Sequence, residues 1–346
     1  CISATAPPTS FTLVATGDVL VLQEGALVRG AAAAGRANGT GFDFSPVLAR
    51  VAPVIQGADL AICHLETPLA PPGGPFRGYP LFDVQPQIVD ALVGAGYDTC
   101  STASNHALDR GYDGLARTLD ALDVRGMGHT GTFRTREESQ PPWITEVNGV
   151  RVGHISWTYG LNGLARPAGK PWSVNVFDAN AADAKGILAD ARRVRTAGAE
   201  VVVVSVHCCV EYTVAPTPVQ VKIAETLLAS PDVDLVLGHH AHVVQPMERI
   251  GGKWVVYGLG NHIAEQRAGA TEDSVIVRFT FTRGPDGAFA VSLAEAIPTR
   301  IEFGGGAVTV VNSAARRGPY TASYDRIVTA LTSRGAAAAG LKITDR

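Results

Sequence analysis

The 346-residue chain has no basic excess: 29 Lys and Arg stand against 32 Asp and Glu, a net charge of -3. No basic patch is visible, which argues against nucleic acid as a partner. No apolar run approaches the roughly 18–20 residues of a membrane-spanning helix. Cysteine is scarce and odd in number, with five at positions 1, 63, 100, 208 and 209. A chain this long can fold on its core, so a disulfide framework is not expected. Cys63, Cys100 and the Cys208/Cys209 pair fall at the ends of apolar strands and are expected to be buried, unpaired thiols. Internal repeats and dividing linkers are also missing. What is plentiful is glycine and proline, 38 and 21 residues, which point to tight turns rather than a helical bundle. With 46% hydrophobic and 18% charged residues, the composition is that of an ordinary globular protein.

The first stretch, "CISATAPPTS", is small, polar and flexible, and it starts at Cys1. A cysteine at that place resembles a bacterial lipoprotein after removal of its signal peptide. The expectation is an extracytoplasmic protein anchored to the membrane through a lipidated Cys1; an arbitrary start would leave it cytoplasmic.

Nearly continuous β-branched runs at 11–18, 58–66, 97–105, 150–158, 200–207, 233–240 and 253–261 read as buried strands of a mixed α/β sheet. Helical spacing appears between them, at 84–96, 113–123, 181–198 and 216–230. Later runs at 273–282, 288–297 and 306–313 are separated by glycine turns and read as antiparallel strands, followed by a terminal helix over 320–335 and an Ala-rich tail. One α/β domain with a β-rich C-terminal portion accounts for this order.

The chemistry-bearing residues gather at the strand ends. Asp18 ends the first strand, Glu66 the second, Asn105 and His106 the third, and His207 the "VVVV" strand. His240 and His242 follow the next, and Asn261 and His262 the last. In an open α/β sheet such ends share one edge, where ligands bind. Hard oxygens together with imidazoles are what Mn, Fe, Zn or Co needs. Any one of these residues has an ordinary structural explanation. "GHHAH" is the exception, since loops rarely place three imidazoles within four positions.

"GDVLV", "CHLETPL", "SNHALDRGYDGLARTLDAL", "VHCCVEYTVAPTPVQ", "GHHAHVVQP" and "YGLGNH" occur in the order seen in the CapA family. This is the poly-γ-glutamate capsule-synthesis branch of the calcineurin-like metallophosphoesterases, and the resemblance spans roughly residues 11–300. It implies an α/β fold, a four-layer αββα sandwich of the metallophosphoesterase type. Residues 1–10 would be a flexible lead, 11–300 the family domain, and 301–346 a C-terminal strand, helix and tail packed on it. It also implies one or two divalent transition-metal ions (Mn, Zn or Fe) on Asp18, Glu66, Asn105, His207, His240 and His242. Glu66 would bridge, and His106 would protonate a leaving group. Glu211 matches the family's "EY". His239 is left as a supporting residue.

The departures matter. Leu20 stands where general metallophosphoesterases carry a histidine, so one metal loses a ligand. His64 replaces an asparagine, Cys208-Cys209 a Trp-Gly, and His262 a phenylalanine. Cys208 and His64 are therefore candidates for the pocket, and His262 for acid/base work. Arg77 and Tyr79, in the loop "PPGGPFRGYPLF", are candidates to hold a carboxylate-bearing polymer. The leading expectation is a metal-dependent hydrolase acting at the cell envelope on a polyglutamate-like polymer or another amide- or phosphate-bearing one. A peptide epimerase using Asp18, Cys208 and His262 without any metal, and a non-catalytic capsule assembly factor, are the alternatives.

Overall fold

The structure is a computed structural model that describes residues 10–39, 41–266, 269–302, 307–310 and 319–345. Cys1 and the rest of the expected lead before Ser10 lie outside the described residues. The first half of the chain runs β1 (Ser10–Leu20), α1 (Ala26–Asn38), α2 (Ser45–Leu48), α3 (Ala52–Gln56), β2 (Leu60–Leu65), α4 (Ile88–Ala95), β3 (Thr99–Ser101), α5 (Gly111–Asp123) and β4 (Gly128–Thr130). The middle adds β5 (Ile144–Val147), β6 (Val150–Thr158), α6 (Lys185–Thr196), β7 (Val201–His207), α7 (Pro218–Leu228) and β8 (Leu235–His239). The last part holds β9 (Met247–Ile250), β10 (Lys253–Val256), β11 (Asn261–Ala264), β12 (Asp273–Arg283), β13 (Phe289–Glu302), β14 (Ala307–Val310), α8 (Pro319–Thr332) and β15 (Leu341–Ile343).

Two sheets face one another. The larger is ordered β14-β13-β12-β1-β2-β3-β4, with β11 also pairing β1 and β15 pairing β13; the smaller is β5-β6-β7-β8-β10-β9. In each, a parallel centre carries an antiparallel edge. Three apolar layers hold the stack together. One lies between α1–α5 and the larger sheet, one between the sheets, and one between the smaller sheet and α6 and α7. This is the αββα sandwich.

Strand alternation decides which face each residue takes. Val201 and Val203 of β7 face the space between the sheets, whereas Val202, Val204 and Val206 face the α6/α7 layer. Leu235 and Leu237 of β8, and Leu60 and Ile62 of β2, continue the inter-sheet layer. Each of these apolar columns ends in a histidine of the same parity: His207, His239 and His64.

The fold corrects several expectations. The run over 253–261 is two strands in different sheets, because the turn through Gly258 and Gly260 (φ 74°) carries the chain from β10 to β11. The run over 97–105 shortens to β3. Helix α1 was not expected; its one buried face, Leu27, Val28, Ala31 and Gly35, packs against the core. The four cysteines among the described residues are not free thiols. Cys63 and Cys100 are register partners on β2 and β3 and form a disulfide, and Cys208 is bonded to Cys209. Two glycines permit the close crossing beneath the site. A Cβ at Gly17 would overlap the Gly260 carbonyl, and one at Gly238 the Tyr257 carbonyl.

Candidate metal centre

Parallel strands that enter the stack from one side leave it together, so their last residues converge. Asp18 comes near the end of β1, Glu66 directly after β2, and Asn105 and His106 in the loop after β3. His207 and His239 are the last residues of β7 and β8, and Asn261 the first of β11. His240 (φ 87°) and His242 (φ 55°) take left-handed backbone conformations that are costly for non-glycine residues. That coil folds the loop back, and the His240 N–H donates to Asp18 Oδ2 at 3.2 Å. All these side chains are buried.

The ligating atoms are close. His242 Nδ1 stands 3.2 Å from Asp18 Oδ2, and His242 Nε2 3.6 Å from Glu66 Oε1. His239 Nδ1 is 3.3 Å from Asp18 Oδ1, and His207 Nε2 is 2.9 Å from Asn105 Oδ1 and 3.9 Å from Glu66 Oε1. Donor atoms of Glu66, His207 and His240 all lie within 4.8 Å of one another, as do those of Asp18, Glu66 and His242. Two donors sharing an ion at about 2.1 Å stand about 3.0 Å apart at a right angle and about 3.4 Å apart at a tetrahedral angle. The two contacts of Asp18, with His242 at 3.2 Å and His239 at 3.3 Å, fall in that range.

Hydrogen bonding points the same way. Asp18 Oδ1, both Glu66 oxygens, both His239 ring nitrogens and His240 Nδ1 are buried without a hydrogen-bond partner. Each such atom costs about 1–3 kcal/mol unless something else binds it. A divalent cation satisfies this set, and a mixture of carboxylate, amide and imidazole donors suits Mn, Fe, Co or Zn. The residues present therefore fit the metal centre.

The electrostatics are those of a desolvated charge cluster. Burial alone would raise the Asp18 carboxyl, but the contacts with His239 and His242 outweigh it and hold Asp18 well below the ordinary range. Burial pushes Glu66 up to about 8. It pulls His240 down to about 3 and holds His64 and His207 well below their ordinary value, so these rings keep lone pairs for ligation or hydrogen bonding. Burial would lower His242 too, but Glu66 and Asp18 lift it to about 10.

His106 stands at the edge. Its Nδ1 bonds Asp109 Oδ2 at 2.7 Å, and Phe82 packs edge-on at 4.7 Å. Burial pulls its pKa down, but the Asp109 bond and the Glu66 charge prevail and raise it. Glu211 has a ligating atom within 4.8 Å of those of His240 and His242. Asn162 accepts from the Asn105 amide at 3.2 Å, and Tyr159 lies 4.8 Å from the His240 ring.

Other candidates fall elsewhere. Cys208 follows the parity of Val202, Val204 and Val206, so it faces the α6/α7 layer and, being disulfide-bonded, has no thiol to offer. His262 is fully buried on the other side of β11, with Nε2 2.9 Å from the Tyr97 hydroxyl, which in turn meets Thr16 Oγ1 at 2.9 Å. Neither can serve as an acid/base group of this centre. His64 is also fully buried, so it cannot line a substrate pocket; it lies beneath the ligands instead. Arg77 and Tyr79 sit on an exposed loop that reaches the centre through Phe82, and Tyr79 is 83% exposed. Sequence reasoning passed over Asn162, whose signal was only its place in the loop after β6. Asn261 was noted at a strand end without a role, and it holds His242 Nδ1 at 2.9 Å.

Residues 12–266 match the family model of the bacterial capsule synthesis protein PGA_cap. The chain is 27% identical over 223 residues to the PGA biosynthesis protein CapA of Bacillus subtilis, covering 62% of this chain and 56% of that one. It is 27% identical over 194 residues to the capsule biosynthesis protein CapA of Bacillus anthracis, covering 56% of this chain and 46% of that one. It thus spans about half the length of these curated relatives. The calcineurin-like phosphoesterase YfkN of Bacillus subtilis superposes with a TM-score of 0.50 at 15% identity, covering 94% of this chain and 99% of that one, a likeness of fold alone. With strand ends, ligand set and family match in agreement, the chain belongs to the PGA_cap bacterial capsule-synthesis family.

Proposed function

We propose that this protein is a metal-dependent hydrolase of the cell envelope. Its substrate would be an amide- or phosphate-bearing polymer in poly-γ-glutamate capsule metabolism. The observation that carries the proposal is the convergence of unpartnered buried atoms on Asp18, Glu66, His239 and His240. A binding-inert fold would not retain them at that cost. The relatives' capsule-synthesis names support the choice of polymer. The two disulfides support an oxidising, extracytoplasmic compartment.

Asp18, Glu66, Asn105, His207, His240 and His242 would hold the metal. Divalent ions bound there supply Lewis acidity and make hydroxide available as a nucleophile near neutral pH. The chain's own residues do the rest. The Ser101 hydroxyl donates to the Cys63 carbonyl at 3.4 Å, and His64 Nδ1–H donates to Ser101 Oγ at 2.7 Å. His64 Nε2 then accepts from His207 Nδ1–H at 2.9 Å, which leaves the His207 Nε2 lone pair facing Asn105 and Glu66. Asn162 holds the Asn105 amide so that its oxygen points the same way. His106, its ring fixed by Asp109, would give a proton to a departing group.

Purified protein assayed on γ-glutamyl oligomers and on an aryl phosphodiester should lose activity in EDTA and regain it with Mn or Zn. Full activity in a metal-free preparation would refute the proposal. The epimerase alternative loses Cys208 and His262, two of the three groups it required, to the opposite face of β7 and the Tyr97 contact.

A further inference from the structure

We propose that His239, not residue 20, completes the metal site at Asp18, so that the centre is built around a shifted ligand. This rests on the metal-centre reading above and says how this chain makes up its missing donor. Leu20 is 2% exposed, belongs to the helix-side core and has no ligating atom. Without a substitute, the ion at Asp18 would keep only Asp18, Glu66 and His242 from the protein.

His239 is placed to substitute. As the last residue of β8 it shares the parity of Leu235 and Leu237, so its ring enters the inter-sheet space from the sheet opposite Asp18. Its Nδ1 is 3.3 Å from Asp18 Oδ1, a separation suited to two donors on one ion. Both His239 nitrogens and Asp18 Oδ1 are buried without a well-aligned hydrogen-bond partner, so the contact leaves room for an ion between them. An imidazole whose two nitrogens are both buried and unpartnered has donor capacity that a metal ion can use.

The ring is held in place. His64 stacks on it with centroids 4.1 Å apart and an interplanar angle of 19°. Both His64 nitrogens are already used, by Ser101 and His207, so His64 positions the ligands and does not bind metal itself. One residue thereby supports the rings on both sides of the centre: His207 by a hydrogen bond and His239 by stacking.

The test is metal binding by chelator-stripped full-length chain, titrated calorimetrically with Mn(II) and Zn(II) and checked by elemental analysis after desalting. Wild type should take two equivalents. His239→Gln should lose one, or bind it at least about 100-fold more weakly, more than the 10–100-fold typical of a supporting residue. His207→Gln should weaken the other equivalent instead. Because His239→Gln could misfold, wild-type crystals grown with Mn or Zn provide an independent measurement. An anomalous peak should lie within bonding distance, about 2.0–2.3 Å, of both His239 Nδ1 and an Asp18 oxygen. Two tight equivalents in folded His239→Gln, or a peak at Asp18 with His239 beyond reach, overturn the inference and leave the metal centre standing. That result would make the Asp18–His239 approach a contact without a ligating role. A wild type that binds no metal overturns the metal-centre reading itself, and this inference with it.

Discussion

His262 offers a measurement that separates a structural role from a catalytic one. Its ring is fully buried, Nδ1 has no partner and Nε2 meets only the Tyr97 hydroxyl. Burial alone drives its pKa from 6.5 to about 3. In the unfolded chain the ring protonates near pH 6.5, while in the folded protein it stays neutral until far lower pH. The unfolded state therefore binds the extra proton, and stability falls as pH drops below 6.5. Each pH unit costs about 1.36 kcal/mol until the folded pKa is reached, so at pH 5 the loss is about 2 kcal/mol. This figure does not depend on the exact folded pKa, provided that it lies well below 5. Urea unfolding of metal-free wild type and His262→Gln at pH 7.5, 6.0 and 5.0 reads it directly. The wild type should lose about 2 kcal/mol more than the variant between the highest and lowest pH. Metal-loaded His262→Gln should also keep its turnover at pH 7.5. Parallel pH dependences, or collapsed turnover in a folded variant with its metal in place, would refute the structural reading.

Metal at a hundred times its Kd should raise the unfolding free energy by about 2.7 kcal/mol, seen as an EDTA-reversible shift in Tm. His106→Ala should lower kcat by about 10²–10⁴-fold while metal content stays at the wild-type level; a matching loss of metal would place His106 among the ligands. Opening the Cys63–Cys100 bridge, which spans a sequence separation of 37, by a Cys63→Ala, Cys100→Ala double substitution should cost about 4 kcal/mol by loop entropy, measured by denaturant unfolding. Gly17→Ala, whose Cβ meets the Gly260 carbonyl, should cost more than about 2 kcal/mol and also weaken metal binding, because the two backbones must part beside Asp18.

The main strands were legible because buried parallel strands are nearly continuous β-branched runs, and β6 and β7 appear almost at their expected bounds. The α7 start was legible from Pro218, and Thr217 and Gln220 form a reciprocal cap there. Helix α1 was not, since its buried face falls from Leu27 and Val28 to the small Ala31 and Gly35. The β10/β11 division was hidden because one apolar run feeds two sheets. Asp18, Glu66, Asn105, His207, His240 and His242 could be grouped from the chain alone, because the ends of parallel strands meet wherever the sheet forms.

Local sequence thus determined the strand-end inventory of oxygens and imidazoles, and with it the resemblance to the family. Tertiary structure decided which of those groups share a face. One step along β7 sends His207 inward and Cys208 outward, and the turn after β10 places Asn261 beside His242 and His262 beside Tyr97. It also brought His239 to Asp18 and His64 beneath both, contacts between different strands that no spacing along the chain encodes. The reason is geometric: alternation is local, but which strand lies opposite, and at what register, depends on packing two sheets into one core.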